Sequence, residues 1–272
     1  MKDKLDIFIG THKTFEPKVT NEVYKIIVGN HQIENKSNLE LINCKHEEAL
    51  DDRFYSEIYM LKWLADNYKL KDYVGFCHYR KIWGFMDNIP NLDEIFKKYE
   101  IIAGKQIKVP RSNREQYRLC HNIEDLYILS GIISELYPDY VKTWNTFLND
   151  NKMFPYNMFI MKREEFLEYI NFIKTILDKY VEVVGDKIFK RIYDNYEHYI
   201  KRYYPNSDVE YQYRIGGYLA ERLTNIWILK NHTNIGVASV LITESKYRKT
   251  KAETSGTTKD TSGKTTEEKK SS

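Results

Sequence analysis

Four consecutive residues, His78-Tyr79-Arg80-Lys81, concentrate an imidazole, a phenol and two permanent cations at one point of the chain. They follow a short apolar run, Tyr73, Val74, Phe76 and Cys77, that suits a strand covered on both faces of a parallel sheet. Ligands in open α/β sheets bind at the carboxyl ends of strands, so cations delivered there form a candidate anion site. A strand end that merely meets solvent would account for the same residues. By strand alternation, His78 and Arg80 are expected on one side and Tyr79 on the other, packed on a neighbouring element. Two donors converging there suit a diphosphate, and arginine offers a bidentate fork that lysine lacks. The plainer readings are an ion pair for Arg80 and a capped turn for His78.

The pattern recurs near the N-terminus. An apolar run at 5–9 gives way to Gly10-Thr11-His12-Lys13, and a second at 26–28 ends on Gly29. Isolated glycines usually mark turns and nothing more. A further cluster, Arg214, Gly216, Gly217, Glu221 and Arg222, precedes an apolar helical stretch. Its double glycine lets backbone approach a ligand closely, or lets a helix pack tightly on the sheet. Pro155-Tyr156-Asn157 leads into a strand at 158–161.

Helical periodicity supplies the elements that would position these groups. Phe54, Ile58, Leu61 and Ala65 predict a helix over 51–67, with Asp51 or Asp52 as its cap. Further helices are expected at 91–99, 123–136, 138–148, 163–180 and 187–204, and strands at 39–42 and 101–103. Residues 105–117, basic and carrying Pro110, read as a loop. Glu124 and Asp125 fall in a first helical turn, where carboxylates complement the helix dipole. The helix at 187–204 carries Ile188, Ile192, Tyr196, Tyr199 and Tyr203 on one stripe, flanked by Lys190, Arg191, Lys201 and Arg202. Such a stripe is ordinary core, or it rests on a membrane surface or partner. Helices alternating with strands predict an α/β fold with a mainly parallel central sheet flanked by helices.

Composition narrows the classes. Of 272 residues, 42 are Lys or Arg and 39 Asp or Glu, a net charge of +3 that gives no support to nucleic-acid binding. The 23 tyrosines suit half-wet clefts, each with an apolar body and a polar tip. Cys44, Cys77 and Cys120 form no CxxC pair, which argues against a disulfide framework or zinc site and for a reducing compartment. The opening MKDKLDIFIG reads as neither signal peptide nor membrane span. A soluble, cytoplasmic protein is expected, with one domain over 1–248 and a disordered low-complexity tail at 249–272.

Taken together, YSEIYMLKWLADN, DYVGFCHYRK, NMFIMKREEF and YRIGGYLAERL, in this order and spacing, resemble a bacterial capsular and exopolysaccharide synthesis family. That family was long known only as a domain of unknown function, and some members are assigned as galactofuranosyltransferases. The THK and VGN turns fit the same pattern. The resemblance spans roughly residues 5–230 and implies a GT-A-like (Rossmann-like) nucleotide-sugar fold. Arg80-Lys81 stands where the family usually has two arginines, and KHEEALDDRF where it tends to have a Gly- and Asn-bearing loop.

The resemblance implies transfer of a sugar, with galactofuranose as one candidate, from a nucleotide diphosphate of uridine or another nucleoside. The acceptor would be a cell-surface glycan such as capsule or O-antigen, or its lipid-linked precursor, with peripheral contact at the inner membrane surface. The chemistry needs charge stabilisation on the leaving diphosphate and a base for the acceptor hydroxyl. Thr11, His12, Lys13, Gly29, His78, Arg80 and Lys81 are the candidate donor-binding residues. Asn157, Arg214, Gly216 and Gly217 are candidates for an acceptor or donor loop. Glu221, Asp125 and Glu124 are the candidate bases, with an ion pair to Arg222 or Arg214 as the plain account of Glu221. No Asp-x-Asp motif ends the central strand, so no metal ligand or cofactor is assigned. The alternatives are a nonenzymatic glycan- or nucleotide-binding module, and a metal-dependent transferase of another sugar.

Overall fold

The computed structural model describes residues 2–45, 51–206 and 208–243, with Lys2, Asp51 and Asp52 described in backbone only. The tail at 249–272 and part of the KHEEALDDRF stretch lie outside the described residues. The strands are β1 (Leu5–Thr11), β2 (Tyr24–Val28), β3 (Glu40–Asn43), β4 (Tyr73–His78), β5 (Lys81–Trp83), β6 (Ile101–Gly104), β7 (Ile107–Lys108), β8 (Lys152–Met153), β9 (Phe159–Lys162), β10 (Ile235–Ala238) and β11 (Val240–Ile242). The α-helices are α1 (Glu57–Asn67), α2 (Leu92–Ile95), α3 (Asn113–Cys120), α4 (Glu124–Leu136), α5 (Val141–Asn149), α6 (Arg163–Val184), α7 (Ile188–Asn195), α8 (Lys201–Tyr203), α9 (Val209–Gln212) and α10 (Ile215–Asn231).

The main sheet runs β10-β6-β9-β4-β1-β2-β3. β1 is parallel to β2 and β4, β2 to β3, and β10 to β6. Only β9 departs from the expected parallel sheet within this path, lying antiparallel to both β4 and β6. Its reversal matters for position. Phe76 pairs with Phe159, so the residues entering β9 reach the same edge as the carboxyl end of β4.

β1 and β4 are apolar without alternation because both faces are covered. Phe8, Phe76 and Phe159 pack beneath α1, α4, α5, α6 and α10. Ile7, Ile9, Cys77 and Ile160 turn the other way, onto Phe15, Tyr79, Trp83 and Leu92.

Four local expectations are corrected. His78 pairs directly with Lys81 across an antiparallel β4–β5 hairpin, so Tyr79-Arg80 form its two-residue turn and strand alternation stops at His78. Tyr79 nonetheless packs as expected, buried against Phe15. Residues 105–117 are not a loop throughout but contain β7 and most of α3, which Ser112 caps by accepting from the Glu115 N–H. Buried Asn113 docks α3, its Nδ2 donating to the Phe147 and Lys152 carbonyls. α1 begins at Glu57 after a π-helical turn, Asp51–Tyr55, and its N-cap position is Ser56. Last, 187–204 is not one regular helix, since a π-turn (Tyr196–Ile200) separates α7 from α8.

Ile188, Ile192 and Tyr196 of that stripe are buried in the core, whereas Tyr203 is 61% exposed. Its basic rim is largely engaged: Lys190 with Asp194, Lys201 with Glu197, and Arg191 with Glu124 and Asp125. Among the described residues no helix is long and apolar enough to cross a membrane.

Candidate active site

A cleft of about 860 Å³ opens at the sheet edge where β1, β2 and β4 end and β9 begins. Two stretches build one wall. Gly10, next to last in β1, lies against Phe76, whose ring is 2.7 Å from where a Cβ would stand, so a larger residue would displace the wall. Thr11 turns the chain, its Oγ1 donating to the Lys13 carbonyl (2.7 Å) and accepting from the Lys13 N–H. The Tyr79-Arg80 turn is held from below by β11 and Thr243, whose Oγ1 donates to the Tyr79 carbonyl and whose N–H donates to the Arg80 carbonyl. Arg80 and Lys13 both stand 5.1 Å from the Tyr79 ring centroid, and Lys81 lies 4.0 Å from that of Tyr156.

The opposite wall comes from the starts of α1 and α10 and the turn into β9. Ser56, Tyr156 and Asn157 all take positive φ, at 53°, 77° and 51°. Such backbone is costly for residues with a Cβ and tends to persist where surrounding contacts hold it, often at functional sites. Here the contacts are visible. Asn157 Nδ2 donates to Glu57 Oε1 (2.8 Å) while its Oδ1 accepts from Thr224. Ser56 Oγ donates to Glu57 Oε2 (2.6 Å) and accepts from Arg214 Nε and Nη2. Arg214 Nη2 also lies 3.8 Å from Glu57 Oε2. Burial pushes the Glu57 carboxyl up, but His78, Arg214, Ser56 and Asn157 outweigh it and leave it below the usual carboxylate range.

Glu221 bridges α10 to the β9 turn. Its Oε1 accepts from the Tyr156 N–H and its Oε2 from Arg222 Nη1. The expected ion pair with Arg222 is therefore present. Arg222 is 2% exposed and also donates to Gln116 and to the Tyr218 carbonyl. At the far end His121, buried, pairs with Gln212 Oε1 and stacks on Tyr218 at 4.2 Å. Burial, reinforced by Arg222, pushes its imidazole down to about 3, so it stays neutral.

Thr11, His12, Gly29, His78, Arg80, Lys81, Asn157, Arg214, Gly217 and Glu221 thus meet in one cleft. Lys13 stands behind Tyr79. Gly216 lies inside the helix junction rather than in the cleft, where a Cβ would come 2.6 Å from the Phe54 carbonyl oxygen. Gly216 thus serves tight packing, but of α10 on the Asp51–Tyr55 turn and not on the sheet as expected. The two remaining carboxylate candidates lie elsewhere. Asp125 is 1% exposed and accepts from Tyr117, Tyr180 and Arg191, while exposed Glu124 pairs with Arg191. Both anchor α7 to α4, and neither reaches the cleft.

Ser56, Glu57, Tyr156, Gln116, His121 and Tyr218 line the cleft without having been singled out from sequence. Ser56 and Glu57 belong to the YSEIYM block, yet a glutamate in a first helical turn reads as dipole complement. Nothing local marks the positive φ that turns Ser56 inward. Among the described residues no group of three or more His, Cys, Asp or Glu is placed to hold a metal ion.

Residues 6–232 match a family described as a domain of unknown function, DUF4422. The chain belongs to the DUF4422 family. No curated protein matches this DUF4422 chain. Among solved structures it resembles the apo structure of WbbM, a bifunctional glycosyltransferase, at TM-score 0.67 and 20% identity over 88% of this chain. The matched region is 45% of the WbbM chain, so this protein spans less than half of that neighbour. A crystal structure of core-mannan synthase A (CmsA/Ktr4) from Aspergillus fumigatus, in its Mn/GDP form, aligns at TM-score 0.38 and 8% identity, covering 87% of this chain and 74% of that one. The WbbM likeness carries the fold assignment. This DUF4422 protein has a GT-A-like α/β fold around a mostly parallel sheet.

Proposed function

We propose that the cleft is the active site of a glycosyltransferase that moves a sugar from a nucleotide diphosphate to a glycan or lipid-linked glycan. One observation carries this reading: Arg80, Lys81 and Arg214 converge, among positive-φ turns, on the strand-end cleft of a GT-A-like fold. Fixed cations there would stabilise the charge that grows on a leaving diphosphate, where preorganised groups contribute most. The cleft volume suits a nucleotide sugar with part of an acceptor. His12, Gly29 and His31 line the β1–β2 side, which is assigned to the nucleoside. Tyr211 and Tyr218, with α3, line the other side, which is assigned to the acceptor. Galactofuranose as the donor sugar rests on the sequence resemblance.

The test is a panel of nucleotide sugars with purified protein, scored for binding and for donor hydrolysis or transfer, with EDTA and with manganese. Turnover that persists in EDTA is expected. Arg80→Lys is expected to weaken nucleoside diphosphate binding ~10-fold while leaving nucleoside binding unchanged, since lysine lacks the bidentate fork. Binding without turnover of any donor would favour a nonenzymatic module. Turnover abolished by EDTA and restored by manganese would overturn the metal-free cradle.

A further inference from the structure

By residue type His78 is a candidate cation for the diphosphate, but its hydrogen bonding gives it a different part. Its Nε2 lies 2.6 Å from the Tyr156 carbonyl oxygen. A carbonyl only accepts, so Nε2 must carry the proton, and in the neutral ring the lone pair then belongs to Nδ1. Nδ1 has no hydrogen-bond partner among the described residues, and His78 lines the cleft. The carboxylates differ in this respect. Both oxygens of Glu57 and both of Glu221 already accept hydrogen bonds from the protein. His121 is pinned to Gln212, and His12 and His31 are exposed at the rim.

We propose that His78 Nδ1 is the general base for the acceptor hydroxyl, and that Glu57 is a positioning residue that stabilises the imidazolium through its charge. This rests on the glycosyltransferase reading. In the step, the hydroxyl oxygen bonds to the anomeric carbon and the bond from that carbon to the diphosphate breaks, its electron pair leaving on the diphosphate oxygen. The hydroxyl proton passes to Nδ1 and later to solvent. Glu57, ionised and buried beside His78, offsets the positive charge on the ring, while the Tyr156 carbonyl fixes the tautomer. Burial favours the neutral ring before reaction, with Lys81 and Arg214 adding to it, while Glu57 and the Tyr156 carbonyl oppose it. Phe76 packs edge to face on the ring from the same strand.

Two measurements test this. Nitrogen chemical shifts of His78 in the intact protein should show a neutral Nε2–H tautomer at pH 7, whether or not a donor is known. A protonated ring or an Nδ1–H tautomer overturns the proposal. Given a donor, His78→Gln, whose amide can still donate to Tyr156, should keep nucleoside diphosphate affinity and lower kcat ~10²–10⁴-fold. It should also lose the acid limb of the kcat/KM profile. Glu57→Gln should move that limb to lower pH, because removing the negative charge makes the imidazole a weaker base. A His78→Gln enzyme with wild-type rate and limb overturns the assignment. A wild-type protein that turns over no donor defeats the glycosyltransferase reading, and the nitrogen shifts still report on His78.

Discussion

Asp125 and Glu57 are both buried carboxylates that begin helices and accept hydrogen bonds on both oxygens, yet they do different things. Asp125 is enclosed by Tyr117, Tyr180 and Arg191, which come from three other elements and lock α7 onto the α3–α4–α6 core. Burial pushes its carboxyl above the usual range although Arg191 and the tyrosines pull the other way. Glu57 is held by Ser56 and Asn157, whose positive φ angles turn them toward an open cleft, and its net shift is downward. Burial is common to both. The difference is whether the partners close over the charge or leave it beside a space that a ligand can fill.

The largest expected effect separates the two by stability. Asp125→Ala would strand Arg191 and two buried phenols, at a cost of ~3–5 kcal/mol, or on the order of 10 °C in melting temperature. Nucleotide affinity of the protein still folded at low temperature should be unchanged. A melting temperature within a degree or two of wild type would place Asp125 outside the structural class.

Next comes Gly216→Ala, which tests how the Glu57 wall is held together. The new Cβ would meet backbone at Phe54, which cannot step aside as a flexible side chain could. The crowding should exceed the helix-propensity gain and cost ~1–3 kcal/mol. A stabilised variant, read by thermal melting, would mean that the junction is looser than it looks.

Glu57→Gln should act on turnover more than on fold, lowering kcat ~10–100-fold, about 1.4–2.7 kcal/mol of transition-state energy. It should also change acid behaviour. The folded pKa of Glu57 lies below its ordinary 4.5, so its stabilisation is present above that value and lost as pH falls through the folded pKa. The Gln variant should therefore lose stability less steeply than wild type below pH 4.5. Asp125→Asn should not share that change, because the Asp125 shift has the opposite sign. Equal acid slopes for wild type and Glu57→Gln would erase the contrast.

The smallest effect is expected at Glu221. Gln at this position can still accept from the Tyr156 N–H, losing only the charge facing Arg222. Turnover should fall less than ~10-fold, under ~1.4 kcal/mol, because the Tyr218 carbonyl and Gln116 still accept from Arg222. A loss of ~10² or more would return the role of base to Glu221.

Strands β1 and β4 were legible because a run buried on both faces is apolar without alternation, and the cations after each run were legible by type. The helical stripes through α1, α4 and α6 followed from periodicity, and the resemblance of the four sequence blocks pointed to the right fold. Illegible from local pattern were the antiparallel insertion of β9, the two-residue turn at Tyr79-Arg80 and the helical start at Ser56. Each depends on partners far along the chain, such as β11 and Thr243 for the turn, or Thr224 and Glu57 for Asn157.

By itself, then, the sequence determined where apolar runs end and which charged groups stand there, because periodicity and residue type act over a few neighbours. Only the tertiary structure decided which carboxylate is sealed and which faces the cleft. Glu57 and Asp125 each sit in the first turn of a helix and look alike in sequence. Desolvation and hydrogen bonding are set by what packs against a group, and here such partners lie far along the chain, Asn157 being 100 positions from Glu57 and Arg214 further still.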